Sequence, residues 1–145
     1  MKYIFYDIVL NNPKRIEIYL SGCKAPHCNG CHNPESWDFD SGIDVDDNLI
    51  DLIKKYSEYF DNIWILGGEP LDQEKPHLVW FLDRLNNIKP IWLFTRYNID
   101  KVDLDILKYL DYAKCGEFIN DNSGYITEYG FKLASSNQII HKINH

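Results

Sequence analysis

Apolar runs in this chain switch between two periods, and that switching limits the folds open to it. Asn62–Leu66, Ile91–Thr95 and Tyr112–Cys115 are short and rich in β-branched or aromatic residues, the pattern of buried strands. Between them the spacing becomes helical. Lys75–Asn86 puts Leu78, Phe81, Leu82 and Leu85 on one face, and Asp103–Leu110 is a shorter helix. Upstream, Asp44 or Asp46 can cap a helix over about Asp47–Phe60, with Leu49, Leu52, Ile53 and Tyr56 on one face. Tyr3–Leu10 and Arg15–Leu20 read as strands joined by the turn formers Asn11–Asn12–Pro13. Strands alternating with helices predict an α/β fold with a mostly parallel sheet and right-handed crossovers.

The length of 145 residues predicts one domain spanning 1–145, large enough to bury a core without disulfide staples. A formal net charge of −7 argues against a nucleic-acid backbone as the main partner, because phosphate binding needs a basic surface. No run approaches the roughly 18 apolar residues of a membrane span. Met1–Asp7 reads as a strand rather than a signal core, so a cytoplasmic location is expected. In a reducing compartment, clustered cysteines bind metal or do redox work more often than they form disulfides.

Ser21–Gly42 has no sustained period and is rich in Gly, Pro, Asn, Asp and Cys. A loop of this length needs a site to organise it. It holds Cys23, Cys28 and Cys31 in a Cys-x4-Cys-x2-Cys pattern. Thiolates suit iron–sulfur clusters and zinc alike. Three of them would hold three corners of a four-iron cluster and leave one iron open. A zinc knuckle closed by His27 or His32 is the competing reading, since structural zinc takes four ligands. Asn29–Gly30 leaves little side-chain obstruction in the loop.

Gly67–Gly68–Glu69–Pro70 follows the predicted strand Asn62–Leu66. Two glycines there let a ligand approach the backbone, and Glu69 can accept hydrogen bonds from an ammonium group. The competing reading is an ordinary strand-to-helix turn. In parallel sheets, ligands sit beyond the carboxyl ends of the strands. The cysteine loop, Gly67–Pro70 and Thr95–Arg96–Tyr97 all follow strand ends, so the three converge on one sheet edge. Thr95 could bond a ribose, or be there for its β-propensity. Cys115 reads as a small buried hydrophobe, and Trp37 as a cover for the cysteine loop or a surface clamp. The tail from Gly116 is less regular, with a turn over residues 121–124. Leu133–Ala134–Ser135–Ser136–Asn137–Gln138 is either a plain turn or a set of small polar groups beside an adenine or ribose.

Taken together, Ser21–Gly22–Cys23, Cys31–His32–Asn33–Pro34–Glu35–Ser36–Trp37, Gly42, Gly67–Gly68–Glu69–Pro70, Lys114–Cys115–Gly116 and Ser135–Ser136–Asn137–Gln138 resemble one family. It is that of the activating proteins of anaerobic (class III) ribonucleotide reductase, small radical S-adenosylmethionine (SAM) enzymes. The resemblance implies a partial, open-sided (β/α) barrel whose gap admits a loop of a protein substrate. It implies that Cys23, Cys28 and Cys31 hold a [4Fe-4S] cluster whose open iron takes the amino and carboxylate groups of SAM. Gly67, Gly68 and Glu69 would line the methionyl amine. Gly30, Cys31 and His32 would run along the adenine, with Thr95 and Asn137 near the ribose and base.

The implied reaction is reductive cleavage of SAM to a 5′-deoxyadenosyl radical that abstracts hydrogen from a glycine of the large reductase subunit. A reducing protein such as flavodoxin would supply the electron. One departure stands out: the family usually has three residues between its first two cysteines, and here there are four, Lys24 to His27. A radical SAM enzyme acting on a small molecule, such as a deazapurine synthase, and a non-catalytic zinc module are the competing functions.

Overall fold

A computed structural model describes residues 1–28, 34–119 and 124–145. Its frame is one mixed sheet built from β1 (Lys2–Val9), β2 (Arg15–Leu20), β3 (Ile43–Asp44), β4 (Asn62–Gly67), β5 (Ile91–Phe94), β6 (Tyr112–Cys115) and β7 (Ile139–Lys142). The spatial order is β3-β1-β2-β4-β5-β6-β7. The four central strands, β2, β4, β5 and β6, run parallel. The edges do not. β1 pairs antiparallel with β2 across a short turn, and β3 and β7 are also antiparallel to their neighbours. A parallel crossover needs about a dozen residues or more, which the Leu10–Lys14 connection does not supply. The expected mostly parallel sheet therefore describes the centre and not the rims.

Three helices connect or flank the central strands: α1 (Asp47–Lys55), α2 (Lys75–Leu85) and α3 (Leu104–Leu107). The period-two alternation of the strands sorts their side chains onto two unlike faces. Ile16, Ile18 and Leu20 of β2, Ile63 and Ile65 of β4 and Leu93 of β5 are fully buried in an aliphatic core. They pack with Leu49, Ile50 and Ile53 of α1, Leu78, Phe81, Leu82 and Leu85 of α2, and Ile106 of α3. Each such side chain contributes about 1.5–3 kcal/mol on burial. The opposite face is aromatic. Register aligns Trp64 with Trp92 and Trp92 with Tyr112, and the Trp92 and Tyr112 rings stack at 4.0 Å. Phe131, from the chain before β7, lies 4.7 Å from Trp64 and closes part of this face.

α1 starts where expected, with the Asp46 carboxylate accepting a bond of 2.9 Å from the Asn48 amide. It ends at Lys55, short of the expected Phe60, and a 3-10 turn over Ser57–Tyr59 follows. The helix stops because Phe60 takes an extended backbone and enters the core. Leu52, expected inward, is only half-buried, and Ile50 takes the inner position instead. Among the described residues no helix is long and apolar enough to cross a membrane.

Candidate functional site

The carboxyl ends of β2, β4, β5 and β6 meet at one edge, and the segments that leave them enclose a cavity of about 200 Å³. Cys23 and Cys28 form one side of its wall; Gly67, Gly68, Glu69 and Thr95 form another. The three strand ends singled out in the sequence do converge.

The glycines fasten two loops together. Gly67 sits at φ +116°, and a Cβ there would come within 2.3 Å of the Leu20 amide nitrogen. At Gly68 a Cβ would lie 2.3 Å from the Gly22 carbonyl oxygen. Both positions therefore need glycine for the approach of the protein's own backbone. The contact is hydrogen-bonded throughout. The Gly68 amide donates to Leu20 O at 2.9 Å, and the Glu69 amide to Gly22 O at 2.7 Å. The Gly22 amide reaches Ser36 O at 2.6 Å, and the Cys23 amide reaches Trp37 O at 3.1 Å. The buried Gln73 side chain adds an amide bond to Ser21 O at 3.0 Å. The cysteine loop thus hangs from the glycine motif.

Glu69 is buried, at 2% exposure, and its carboxylate meets protein donors. Oε1 accepts from the Arg96 amide at 2.7 Å. Oε2 accepts from the Thr95 hydroxyl at 2.7 Å and the Leu71 amide at 3.0 Å. Burial raises the Glu69 pKa, and these three donors pull it back. A carboxylate has about four acceptor positions, so one remains on Oε1 for a further donor. Thr95 lines the cavity with its hydroxyl already turned to Glu69.

Two cations of the wall, Arg96 and Lys114, belong to segments singled out in the sequence but were given no role there. Lys114, on β6, has its ammonium pKa pushed down by burial and drawn up by the Glu69 charge. Arg96 donates to the Lys24 carbonyl at 2.6 Å, to the Pro26 carbonyl, and to Asp72 at 3.1 Å. Asp72 also accepts the Lys24 amide at 2.8 Å and the Tyr97 hydroxyl at 2.6 Å. Strand-end polar residues with long side chains were the available signal, but reach across 72 positions of sequence is not readable from spacing.

Cys23 and Cys28 are free thiols, half-buried. Burial pushes the Cys23 thiol up to about 11, and the nearby Arg96 charge acts against that rise. Gly30, Cys31 and His32, assigned to the cluster and the adenine, lie outside the described residues, as does most of the expected turn at 121–124. His27 stacks on Trp37 with ring centres 3.7 Å apart, and its Nε2 donates to Cys23 O at 2.8 Å. That nitrogen is thereby engaged within the loop, and Trp37 covers the loop through His27. Asn137 is exposed and donates to Glu117 O at 2.8 Å; Ala134 and Gln138 of the same motif line the cavity wall instead. Cys115 is buried in the aliphatic core at 3% exposure, and burial lifts its pKa to about 11.

This arrangement suits a thiolate-held iron–sulfur cluster. The two described thiols face a small cavity, and the cations Arg96 and Lys114 in its wall offset the negative charge such a cluster carries.

Comparison with known proteins follows the same line. Residues 12–141 match the family model described as a 4Fe-4S single cluster domain. The chain is similar to the anaerobic ribonucleoside-triphosphate reductase-activating protein of Haemophilus influenzae, at 30% identity with 98% of each chain covered. The protein of that name from Escherichia coli K12 is 26% identical over 98% of this chain and 97% of its own. A pyruvate formate-lyase-activating enzyme of Listeria monocytogenes is 33% identical over 64 residues, 41% of this chain and 25% of its own.

Proposed function

This chain belongs to the family of anaerobic ribonucleoside-triphosphate reductase-activating proteins, radical SAM enzymes with a 4Fe-4S domain, and from that premise we propose that it generates a glycyl radical on an anaerobic ribonucleotide reductase. The observation that carries the reading is the shared cavity. Two cysteines of the triad and the Gly67–Gly68–Glu69 segment line one space, and the Glu69-to-Gly22 bond joins their backbones.

In this reading Cys23, Cys28 and Cys31 hold a [4Fe-4S] cluster, and the glycine motif with Glu69 receives the methionyl end of SAM. When bound, the cluster and SAM supply a one-electron reductive cleavage that ends in hydrogen abstraction from a glycine of the partner. The protein's own residues position and shield. The acceptor position left on Oε1 of Glu69 beside the Arg96 amide takes a hydrogen bond from an ammonium group. Thr95 fixes the carboxylate through its hydroxyl. The His27–Trp37 stack covers the loop and keeps water and oxygen from the thiolates. Gly30, Cys31 and His32 complete the adenosine side as the family resemblance implies. The sheet is the partial barrel of a radical SAM enzyme, and its open side admits the glycine loop of the reductase large subunit. A reducing protein such as flavodoxin delivers the electron, and the reaction belongs in the cytoplasm.

Anaerobic incubation of the reduced, iron-loaded protein with SAM and the reductase large subunit tests this. A glycyl-radical EPR signal on the reductase is expected. SAM cleavage with no radical on the reductase would remove the partner assignment and favour a small-molecule substrate.

A further inference from the structure

The interval between Cys23 and Cys28 carries one residue more than its family usually allows, and the structure holds that interval from the Arg96 and Asp72 side chains. The Arg96 guanidinium donates to the carbonyls of Lys24, at 2.6 Å, and Pro26. Both lie between the two cysteines. Asp72 works from the same side: it accepts the Lys24 amide at 2.8 Å and braces Arg96 at 3.1 Å. Tyr97 braces both, donating to Asp72 at 2.6 Å and accepting from Arg96 at 3.0 Å. The Arg96 and Asp72 side chains are only 13% and 5% exposed. A planar fork with several donors can grip two carbonyls and a carboxylate together, which an ammonium cannot.

Not all of the guanidinium is taken up. Its Nε–H is buried and has no partner among the described residues. Arg96 shares the cavity wall with Cys23 and Cys28, and its charge acts on Cys23. A cation and a spare donor beside cluster sulfur stabilise the more negative, reduced state, which raises the reduction potential.

We propose that Arg96 is a positioning residue for the cluster, clamping the lengthened Cys23–Cys28 interval through the Lys24 and Pro26 carbonyls and setting the cluster potential through its charge and the Nε–H that has no partner among the described residues. This rests on the cluster reading given above. Lys24, Arg96 and Asp72 form one hydrogen-bonded unit.

The test uses the full chain reconstituted anaerobically with iron and sulfide, as wild type, R96K and R96Q. Iron release to a chelator and the midpoint potential are measured, with circular dichroism to confirm folding. Both variants should release iron about tenfold faster than wild type, the scale on which outer-shell partners act. R96Q should also shift to a more negative potential, while R96K, which keeps the charge, should stay near wild type. A wild-type potential in R96Q overturns the proposal whatever its iron-release rate.

Should R96Q not retain a cluster, R96K decides alone, and iron release at the wild-type rate overturns the clamp. The iron-free proteins give a second readout. Trypsin should cut after Lys24 faster in both variants, and an unchanged rate counts against the clamp. A wild-type protein that takes up no iron defeats the cluster reading itself; iron-loaded wild type with indistinguishable variants defeats only this inference.

Discussion

Gly68→Ala strikes the point where the two halves of the site touch. The new Cβ would stand 2.3 Å from Gly22 O and 2.8 Å from Ser36 O, both backbone atoms that cannot rotate away. Reaching an ordinary contact requires the cysteine loop to retreat by roughly 1 Å, in an interior packed like a crystal. That retreat stretches the Glu69-to-Gly22 bond of 2.7 Å and the Gly22-to-Ser36 bond of 2.6 Å past useful length. Two backbone bonds at about 1 kcal/mol each, with some residual overpacking, give a loss of about 2–3 kcal/mol. For a chain of this size each kcal/mol moves Tm by about 2–4 °C, so a fall of about 5–10 °C is expected. Urea and thermal unfolding of the iron-free protein measure the loss, and iron uptake after reconstitution measures its effect on the loop. A variant within about 0.5 kcal/mol of wild type that takes up iron normally would refute the claim that backbone contact at Gly68 fixes the cysteine loop.

Other perturbations have equally definite outcomes. Asp46→Ala removes the cap on α1 and should cost about 1 kcal/mol in urea unfolding, with no change in iron content. Folding raises the Cys115 thiol from 9.0 to about 11, so the native state holds that proton more tightly than the unfolded chain does. The stability this contributes is full below pH 9 and is lost as pH climbs through about 11; relative to Cys115→Ala, wild type should lose stability across that window at up to about 1.4 kcal/mol per pH unit. The same variant should retain the cluster, because Cys115 lies in the aliphatic core and not in the cavity wall; loss of iron would show that it ligates. Burial raises the Glu69 pKa as well, so the stability of wild type relative to Glu69→Gln should fall as pH rises above the ordinary glutamate range; a flat difference would mean that the three donors cancel burial, and a rising one that they outweigh it.

Much of the frame could be read from residue pattern alone. The alternation of periods located β4, β5, β6 and α2 to within a residue, because α2 presents one apolar face to the aliphatic core and the strands carry apolar side chains on both of theirs. It also brought the cysteine loop, Gly67–Pro70 and Thr95 to one edge, since topology alone dictates where parallel strands end. Contacts between distant loops were not legible. Gly67 and Gly68 look the same in sequence whether a ligand or the Leu20 and Gly22 backbone approaches them; only the fold shows the backbone there. Arg96 and Lys114 sit in motifs the sequence singled out, but their own contacts come from partners brought close by the sheet. Asn137 and Gln138 differ by one position, and which of them faces the cavity depends on how the chain enters β7.

The proposal that three thiolates hold the cluster and leave one iron open to SAM is tested directly by anaerobic reconstitution with iron and sulfide. Brown protein with about four irons per chain is predicted, with an EPR signal of the reduced cluster that changes when SAM is added. A colourless protein holding a single tight zinc, or a four-iron cluster whose spectrum ignores SAM, would contradict it.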